Sequence, residues 1–464
     1  MNPSSTQAIP SPSALPVLGH SHHFIGKSPV AVAMEMTKLF DGIFNLKFFG
    51  MDIILITGQK YAHAACSEGS FEKSIHLGLQ ELRAIGGDGL FTAYDHEANW
   101  RKAHNILLPG FSKKAMSKYL PIMHENAKGL CDRLARHSGS FVKADDEMAR
   151  YTLETVAACG FGYSFEAFAD EKSDAYHYLE AMNYCLTEGL RRMKMPGFLK
   201  ALPLPSLLRF KRNTQKMFRY ADDIITKRMA DQSRSEELDF LNLMLNTLDK
   251  DTGEKLDKEN IRYQLLTFLV AGHETTSSVL AFAIYFLLRH PEVLVKARAE
   301  VDRVWSDGVP SGVSMKEVLS FRYLQQIFRE CLRLWPTAPS IAVQSPKGAV
   351  LCDRLYIKPN QVCILSLPNL HRDKSVWGEN SDAFDPENFS AENMKNIPEN
   401  AYMPFGQGAR TCIGQHFAMT EAIVLLAMML KRFDFEGKED YQLEVSDNLT
   451  IKPENLWVRF KPRF

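Results

Sequence analysis

Apolar residues recur at helical spacing through most of the chain, from about Asn99 to Arg228 and again from Asp257 to Leu334. Extended, β-branched runs are few, and Ile53-Ile54-Leu55-Ile56-Thr57 and Val362-Cys363-Ile364-Leu365 are the clearest. The pattern predicts a mainly α fold with small β-sheets. One segment departs from ordinary amphipathic spacing. Between Asp257, a candidate N-cap, and Pro291, a stop signal, roughly 33 residues would span about 50 Å at ~1.5 Å per residue. Tyr263 to Gly272 and Thr275 to Leu288 are apolar around the whole circumference, which predicts a helix through the core of a large protein. The group His273-Glu274-Thr275-Thr276-Ser277 interrupts this helix at its centre. Polar groups placed in a core need partners or a purpose.

Composition narrows the class. With 464 residues, 45% hydrophobic and 24% charged, the chain is rich enough to build a large core. Length alone suggests about three domains, but linkers are absent: the most polar stretch, Asp249 to Asn260, runs straight into the long helix. One domain over residues 16–464 is expected, after a flexible Ser/Pro-rich N-terminus, 1–15. Lys+Arg and Asp+Glu both number 55, so no nucleic-acid partner is expected. The N-terminus lacks the basic and apolar regions of a signal peptide. No uncharged apolar run reaches the ~20 residues of a membrane span. A cytoplasmic protein without a membrane span follows. Eight cysteines with no CxxC pair fit reduced thiols in that compartment.

The strongest chemical signal is Phe405-Gly406-Gln407-Gly408-Ala409-Arg410-Thr411-Cys412-Ile413-Gly414. A thiolate is a natural metal ligand, and two preceding glycines allow a tight loop that aims amide N–H groups at sulfur. The helical pattern from Gln415 to Leu430 puts Cys412 at a helix N-terminus, which favours the anion. Arg410 offers a fixed cation for a carboxylate. Two blander readings stand beside this one: a buried free cysteine in a Gly-rich loop, and a zinc site using Cys412 and His416.

Two further motifs lie on helices. In Ala271-Gly272-His273-Glu274-Thr275-Thr276 the Thr275 hydroxyl can bond the carbonyl of Ala271 and loosen the helix. Glu274 and Thr275 form an acid–alcohol pair able to move protons; the alternative is a satisfied polar patch. Glu330-Cys331-Leu332-Arg333 is an ion pair at i, i+3 spacing, a common surface feature by itself. Leu334-Trp335-Pro336-Thr337 follows it.

Together these motifs resemble the cytochrome P-450 superfamily. The resemblance runs from about Pro16 to Pro462 and is similar above all to the haem domain of bacterial self-sufficient flavocytochromes that hydroxylate fatty acids. Gly87-Asp88-Gly89-Leu90-Phe91-Thr92, Trp100 to Pro109, Leu370-His371-Arg372-Asp373-Lys374 and Lys431-Arg432-Phe433-Asp434-Phe435 carry it. It implies the P-450 fold, with the long helix crossing a haem b whose axial ligand is Cys412. Phe405 and Gly406 belong to the cofactor loop, and Trp100, His104 and Arg410 meet the haem propionates. Thr275 and Glu274 supply protons. Phe91 is a phenyl gate, and Leu79, Leu82, Gly86, Val270, Ala271, Ala338 and Leu449 line an apolar channel. Glu330 and Arg333 become a structural pair. The implied activity inserts one atom of O2 into C–H bonds of long apolar substrates, most simply as subterminal fatty-acid hydroxylation. Electrons would come from NADPH through FAD and FMN of a diflavin reductase, for which these 464 residues hold no fingerprint.

Several positions depart from the family pattern. Asn388, in Pro386-Glu387-Asn388-Phe389, stands where an Arg usually joins the Glu330–Arg333 pair. Met51 and Leu55 stand where the fatty-acid hydroxylases place an Arg and a Tyr that hold the substrate carboxylate. A candidate replacement is Arg191 to Arg219, nine basic residues with no acidic one, interleaved with apolar groups; solvated helix faces are the plain alternative. A peroxide-driven peroxygenase or haem isomerase, and a haem-thiolate binding or sensing protein without turnover, are rival readings. The Glu274–Thr275 pair argues against both.

Overall fold

The computed structural model describes residues 7–16, 18–48, 51–67, 69–169, 174–193, 200, 202, 204–231, 233, 239–447 and 449–463. As expected, helices dominate and the sheets are small. Two compact units emerge: Met1–His76 with Arg329–Cys412, and Leu77–Phe328 with Ile413–Phe464.

The first unit is built on a five-stranded sheet. Its spatial order is Ile43–Phe48, Met51–Ile56, Val362–Ser366, Ser340–Gln344, Glu72–Lys73. Both strands expected from β-branched runs are present, paired with each other in parallel. The two-residue alternation of a strand divides their side chains between two faces. Ile54, Ile56, Cys363 and Leu365 share one core cluster. Leu55 joins Phe44 and Leu46 in another, with Val32, Ala33 and Met36 of helix Pro29–Thr37. That helix starts with Ser28 as N-cap, its hydroxyl accepting from the Ala31 N–H, and Pro29 at the first turn.

A buried ion pair ties this unit together. Arg333 and Glu330 have fully buried side chains and meet in a fork, Nε to Oε2 and Nη2 to Oε1, both at 2.7 Å. The guanidinium also donates to the carbonyls of His371 (3.0 Å), Ser381 (2.6 Å) and Ala383 (2.7 Å). Glu330 accepts from the Asp385 amide at 2.8 Å and from Asn388 Nδ2 at 3.2 Å. Asn388 thus keeps a hydrogen bond to Glu330 at the place where the resemblance implies a third cation.

The second unit is helical. Asp257 caps the long helix as expected, its Oδ1 accepting from the Asn260 amide at 2.8 Å, and the helix runs Lys258–Arg289 over 32 residues. It is the one helix among the described residues long and apolar enough to cross a membrane, and 72% of that apolar window is buried, as in a core helix. Helices Leu77–Gly86, Ala98–Leu107, Lys113–Arg136, Ala144–Phe161 and Gln415–Arg432 belong to the same unit, as does the hairpin of Glu444–Asp447 and Ile451–Glu454.

Removing one partner of a buried, hydrogen-bonded ion pair leaves an uncompensated charge. Arg333→Ala is expected to lower stability in urea unfolding by about 3–5 kcal/mol. Lys374→Ala, which breaks the solvent-exposed pair Lys374–Glu379, is expected to cost less than ~1 kcal/mol. Equal effects of the two changes would remove the buried pair from its structural role.

Candidate active site

In the sheet unit the Cys412 loop is shaped by its backbone. Gly406 and Gly408 take the left-handed conformation at φ 74° and 64°. This turn lets the Cys412 amide donate to the Phe405 carbonyl at 2.8 Å and the Gly406 amide to the Met403 carbonyl at 3.0 Å. The Met403 amide in turn donates to His371 Nε2 at 3.1 Å. That bond puts the imidazole proton on Nδ1, which donates to the Leu332 carbonyl at 3.3 Å. Burial holds His371 neutral, its pKa lowered to about 3. A continuous path of hydrogen bonds therefore joins the Arg333 region to the cysteine loop.

Cys412 is exposed, whereas the other seven cysteines are buried or half-buried. No disulfide forms among the described residues, which include all eight. Phe405, Gly406 and Arg410 are half-buried, and Ala338 is exposed. Among the described residues no three His, Cys, Asp or Glu side chains converge as a metal site, so the zinc alternative with His416 finds no ligand set. A metal held by Cys412 must bring most of its own ligands. Haem iron, already ligated by four porphyrin nitrogens, fits a single accessible thiolate.

In the helical unit, exposure along the long helix is uneven. From Asn260 to Leu288 only Ala271 is exposed, flanked by half-buried Val270, Gly272, Glu274 and Thr275. Accessible space thus reaches the helix at its polar centre. The Thr275 hydroxyl donates to the Ala271 carbonyl at 2.8 Å, the bond expected from the sequence. The freed carbonyl capacity around it is also used: Thr152 Oγ1 donates to the His273 carbonyl at 3.0 Å, and Ser278 Oγ to the Glu274 carbonyl at 2.7 Å. Thr450, next to Leu449, points its hydroxyl at Glu274 Oε2 from 3.4 Å.

Burial pushes the two titratable groups here in opposite directions. Glu274 is raised above the ordinary carboxylate range by desolvation, with Lys452 and the Thr450 bond pulling the other way. His273 is lowered to about 3 by desolvation, and Lys452 adds to that effect. Both are held toward their neutral forms.

The remaining expected residues divide by exposure. Trp100 is buried and stacks on His104 with ring centroids 5.4 Å apart and an interplanar angle of 26°. Leu79 and Leu82 are buried on helix Leu77–Gly86, and Leu449 is half-buried. Gly86 leaves no room for a side chain, since a Cβ would lie 2.8 Å from Thr92 Oγ1. Phe91 is 41% exposed, unusual for a large apolar ring. Thr450 and Lys452 escaped the sequence reading, although the adjacent Leu449 was a clue. So did His371, which sits in a quoted motif but whose bonds reach far along the chain.

The basic stretch is less spare than its composition suggests. Residues 194–199, 201 and 203, and with them Met195, Phe198 and Leu199, lie outside the described residues. Arg191 pairs with Glu188 at 2.7 Å, Arg192 with Glu81 at 2.9 Å and Arg209 with Glu180 at 3.9 Å, while Lys200 also meets Glu81. Lys211, Arg212 and Arg219 make no ion pair among the described residues.

A sequence model of the cytochrome P450 family matches residues 9–459. The chain is 39% identical over 458 residues to a bifunctional cytochrome P450/NADPH–P450 reductase of Bacillus cereus, covering 98% of this chain and 42% of that protein. It is 39% identical to a second such protein, from Bacillus subtilis, covering 99% and 42%. Identity is 35% to a self-sufficient cytochrome P450 monooxygenase of Aspergillus kawachii, covering 98% and 43%. The chain thus spans about two fifths of the length of these relatives.

The raised Glu274 carboxyl has a sign that can be checked. Its folded state keeps the proton to higher pH than the unfolded chain, so its contribution is fully present below the unfolded value and declines as pH rises through the folded one. Glu274→Gln cannot titrate. The stability of the wild type relative to this variant should fall from the ordinary carboxylate range upward, with a limiting slope of about 1.4 kcal/mol per pH unit before screening reduces it. Urea unfolding across that range measures it, and parallel pH profiles would show that burial does not perturb this acid.

Proposed function

The chain belongs to the cytochrome P450 family, and from that premise we propose that it is a haem-thiolate monooxygenase that inserts one atom of O2 into C–H bonds of long apolar substrates, fatty acids first. The observation that carries this reading is the Glu274–Thr275 pair at the accessible centre of an otherwise buried helix. Cys412 would hold the iron, and Arg410, Trp100 and His104 are the groups for the propionates. When bound, haem would supply an iron toward which a cysteine thiolate pushes the electron density that favours O–O cleavage.

The chain's own residues handle protons, water and shape. Burial raises the Glu274 carboxyl above the ordinary carboxylate range, which favours its acid form. Beside it in sequence, Thr275 holds its hydroxyl on the Ala271 carbonyl, and an acid–alcohol pair of this kind serves general acid catalysis. Leu79, Leu82, Val270, Ala271, Ala338 and Leu449 would exclude water and hold a hydrocarbon chain. Electrons would come from NADPH through the FAD and FMN of a diflavin reductase. The names of the bacterial relatives include an NADPH–P450 reductase activity, which favours a reductase donor over peroxide. The same reading puts the enzyme in the cytoplasm.

Supplied with a purified diflavin reductase and NADPH, the protein is expected to hydroxylate a long-chain fatty acid. Thr275→Ala should still bind substrate but lose coupled product on the order of 10²-fold, with reducing equivalents appearing as peroxide and water. Product from hydrogen peroxide alone, unaffected by Thr275→Ala, would favour the peroxygenase. Haem binding with no product under either condition would favour the sensor.

Magnitudes decide how a fatty acid would be held. Each buried methylene contributes about 0.8 kcal/mol, whereas one charge-assisted hydrogen bond contributes about 1.5–3 kcal/mol. A chain of ten or so methylenes outweighs the anchor, so Met51 and Leu55 need not abolish binding. Leu55 is only 8% exposed within its core cluster, and a Tyr there would overpack the site. Met51→Arg alone is therefore the clean test. It should tighten fatty-acid binding by about tenfold and leave the matching amide unchanged. If the wild type already prefers the acid strongly, Lys211, Arg212 and Arg219 are the first cations to neutralise. If neither change moves the preference, shape and burial alone select the substrate.

A further inference from the structure

The loop that carries Phe91 is pinned to the long helix by side chains that the activity above does not use. Gly87 sits at φ 47°, and a Cβ on it would lie 2.3 Å from the Tyr263 ring; one on Gly89 would lie 2.7 Å from Thr267 Oγ1. The turn is thus pressed flat against one face of the long helix. On that face Gln264 and Asn260 are 0% and 1% exposed. Gln264 Oε1 accepts the Leu90 amide at 3.0 Å, and Gln264 Nε2 donates to Asn260 Oδ1 at 3.0 Å. Asn260 Nδ2 donates to Asp88 Oδ1 at 2.8 Å, and Asp88 Oδ2 accepts from Asn99 Nδ2 at 2.7 Å. Asp88 therefore ties the turn to the long helix and to helix Ala98–Leu107, which carries Trp100 and His104. The far side of the loop is held as well. Arg83 donates to the Thr92 carbonyl at 2.7 Å and forks onto Glu97, and Thr92 Oγ1 donates to the Gly87 carbonyl at 2.9 Å.

Phe91 is thus an exposed ring on a backbone that hydrogen bonds hold on both sides, from the buried Gln264 on one and from the half-buried Arg83 and the buried Thr92 on the other. Leu90, its neighbour, is bonded directly to the helix that carries Val270, Ala271, Glu274 and Thr275. In this network the amide oxygen and nitrogen of both Gln264 and Asn260 each have a hydrogen-bond partner, which fixes the orientation of the two amides. We propose that Gln264, with Asn260 and Asp88 behind it, is a positioning residue that fixes Phe91 relative to the Ala271–Thr275 segment and so sets which carbon of the substrate is oxidised. Gln264 acts through the Leu90 amide, without touching substrate. The role rests on the monooxygenase reading.

Three variants test it: Gln264→Met, which keeps length but removes the acceptor and donor; Gln264→Glu, which restores an acceptor for Leu90; and Phe91→Ala. Hydrogen–deuterium exchange resolved to the Leu90 amide reads the clamp without reference to activity. In Gln264→Met this exchange should quicken by about tenfold, the loss expected for one buried hydrogen bond, and Gln264→Glu should recover most of it. With reductase and NADPH, Gln264→Met should shift the distribution of oxidised carbons in the same direction as Phe91→Ala. Added to Phe91→Ala, it should shift the distribution no further, because both act through one ring. An unchanged Leu90 exchange rate in Gln264→Met would overturn the clamp, whatever the enzyme does. A freed Leu90 amide with an unaltered product distribution, or an equal shift in the Phe91→Ala background, would overturn its role in selectivity. Absence of oxidised product from the wild type would instead overturn the monooxygenase reading and, with it, this role.

Discussion

A helix buried around its whole circumference leaves each of its polar atoms a single recourse, a partner on a neighbouring element. Over most of its length Lys258–Arg289 is close to such a helix, Ala271 being the one exposed position between Asn260 and Leu288, and several of its polar groups bond to neighbouring elements. Asn260 and Gln264 reach the Phe91 loop, the His273 carbonyl takes the Thr152 hydroxyl, and Glu274 meets Thr450 from the hairpin. Each bond fixes one neighbour against the helix. The expense of leaving a buried donor or acceptor unpaired, about 1–3 kcal/mol each, is large beside the marginal stability of a folded domain. Partners in this unit therefore have little freedom to drift.

In the sheet unit the same constraint acts through one guanidinium. Arg333 spends its donors on Glu330 and on three carbonyls of the 371–383 segment. His371 then passes the order onward, since its proton is fixed on Nδ1 by the bond to the Leu332 carbonyl and its Nε2 accepts the Met403 amide. Met403 and Phe405 supply the carbonyls that shape the cysteine turn. The position of Cys412 is thus set by a path of backbone bonds rather than by packing of its own side chain, which is exposed. That suits the thiolate role proposed for Cys412, which needs an accessible sulfur.

What the sequence made legible follows from range. The long helix was readable because its cap, its stop and its apolar circumference are all local. The strands at 51–56 and 362–366 were readable from β-branched runs, and the Thr275–Ala271 bond from four-residue spacing. The Gln264–Leu90 and Thr450–Glu274 bonds join residues 174 and 176 positions apart, and no local period announces them. Charge counting misled for a similar reason. Of the nine cations from Arg191 to Arg219, Arg191, Arg192, Lys200 and Arg209 are answered by Glu188, Glu81 and Glu180, which lie outside the stretch, while Lys211, Arg212 and Arg219 make no ion pair among the described residues. Asn388 shows the reverse case: the substitution was visible, and its effect, a neutral hydrogen bond to Glu330 in place of a charge, needed the structure.

Burial and chemistry meet at the centre of the long helix. Desolvation lowers His273 and raises Glu274, so two adjacent residues that would carry opposite charges in water are both driven toward neutrality. An ionised Glu274 would have had to rely on Lys452, which makes no ion pair with it among the described residues and only opposes the shift. Burial instead shifts Glu274 toward its acid form, one turn from Ala271, the one exposed position between Asn260 and Leu288. In the proton-donating role proposed for Glu274, bulk water must be kept from supplying protons indiscriminately, and the buried Leu265, Leu266, Phe268 and Leu269 before it and Val279 to Ile284 after it would serve that exclusion. The polar interruption is not free to the fold: neither nitrogen of the buried His273 ring has a hydrogen-bond partner among the described residues. An unpaired buried polar group costs about 1–3 kcal/mol even when neutral, a cost for which the proton-donating role proposed for Glu274 and Thr275 would supply the reason.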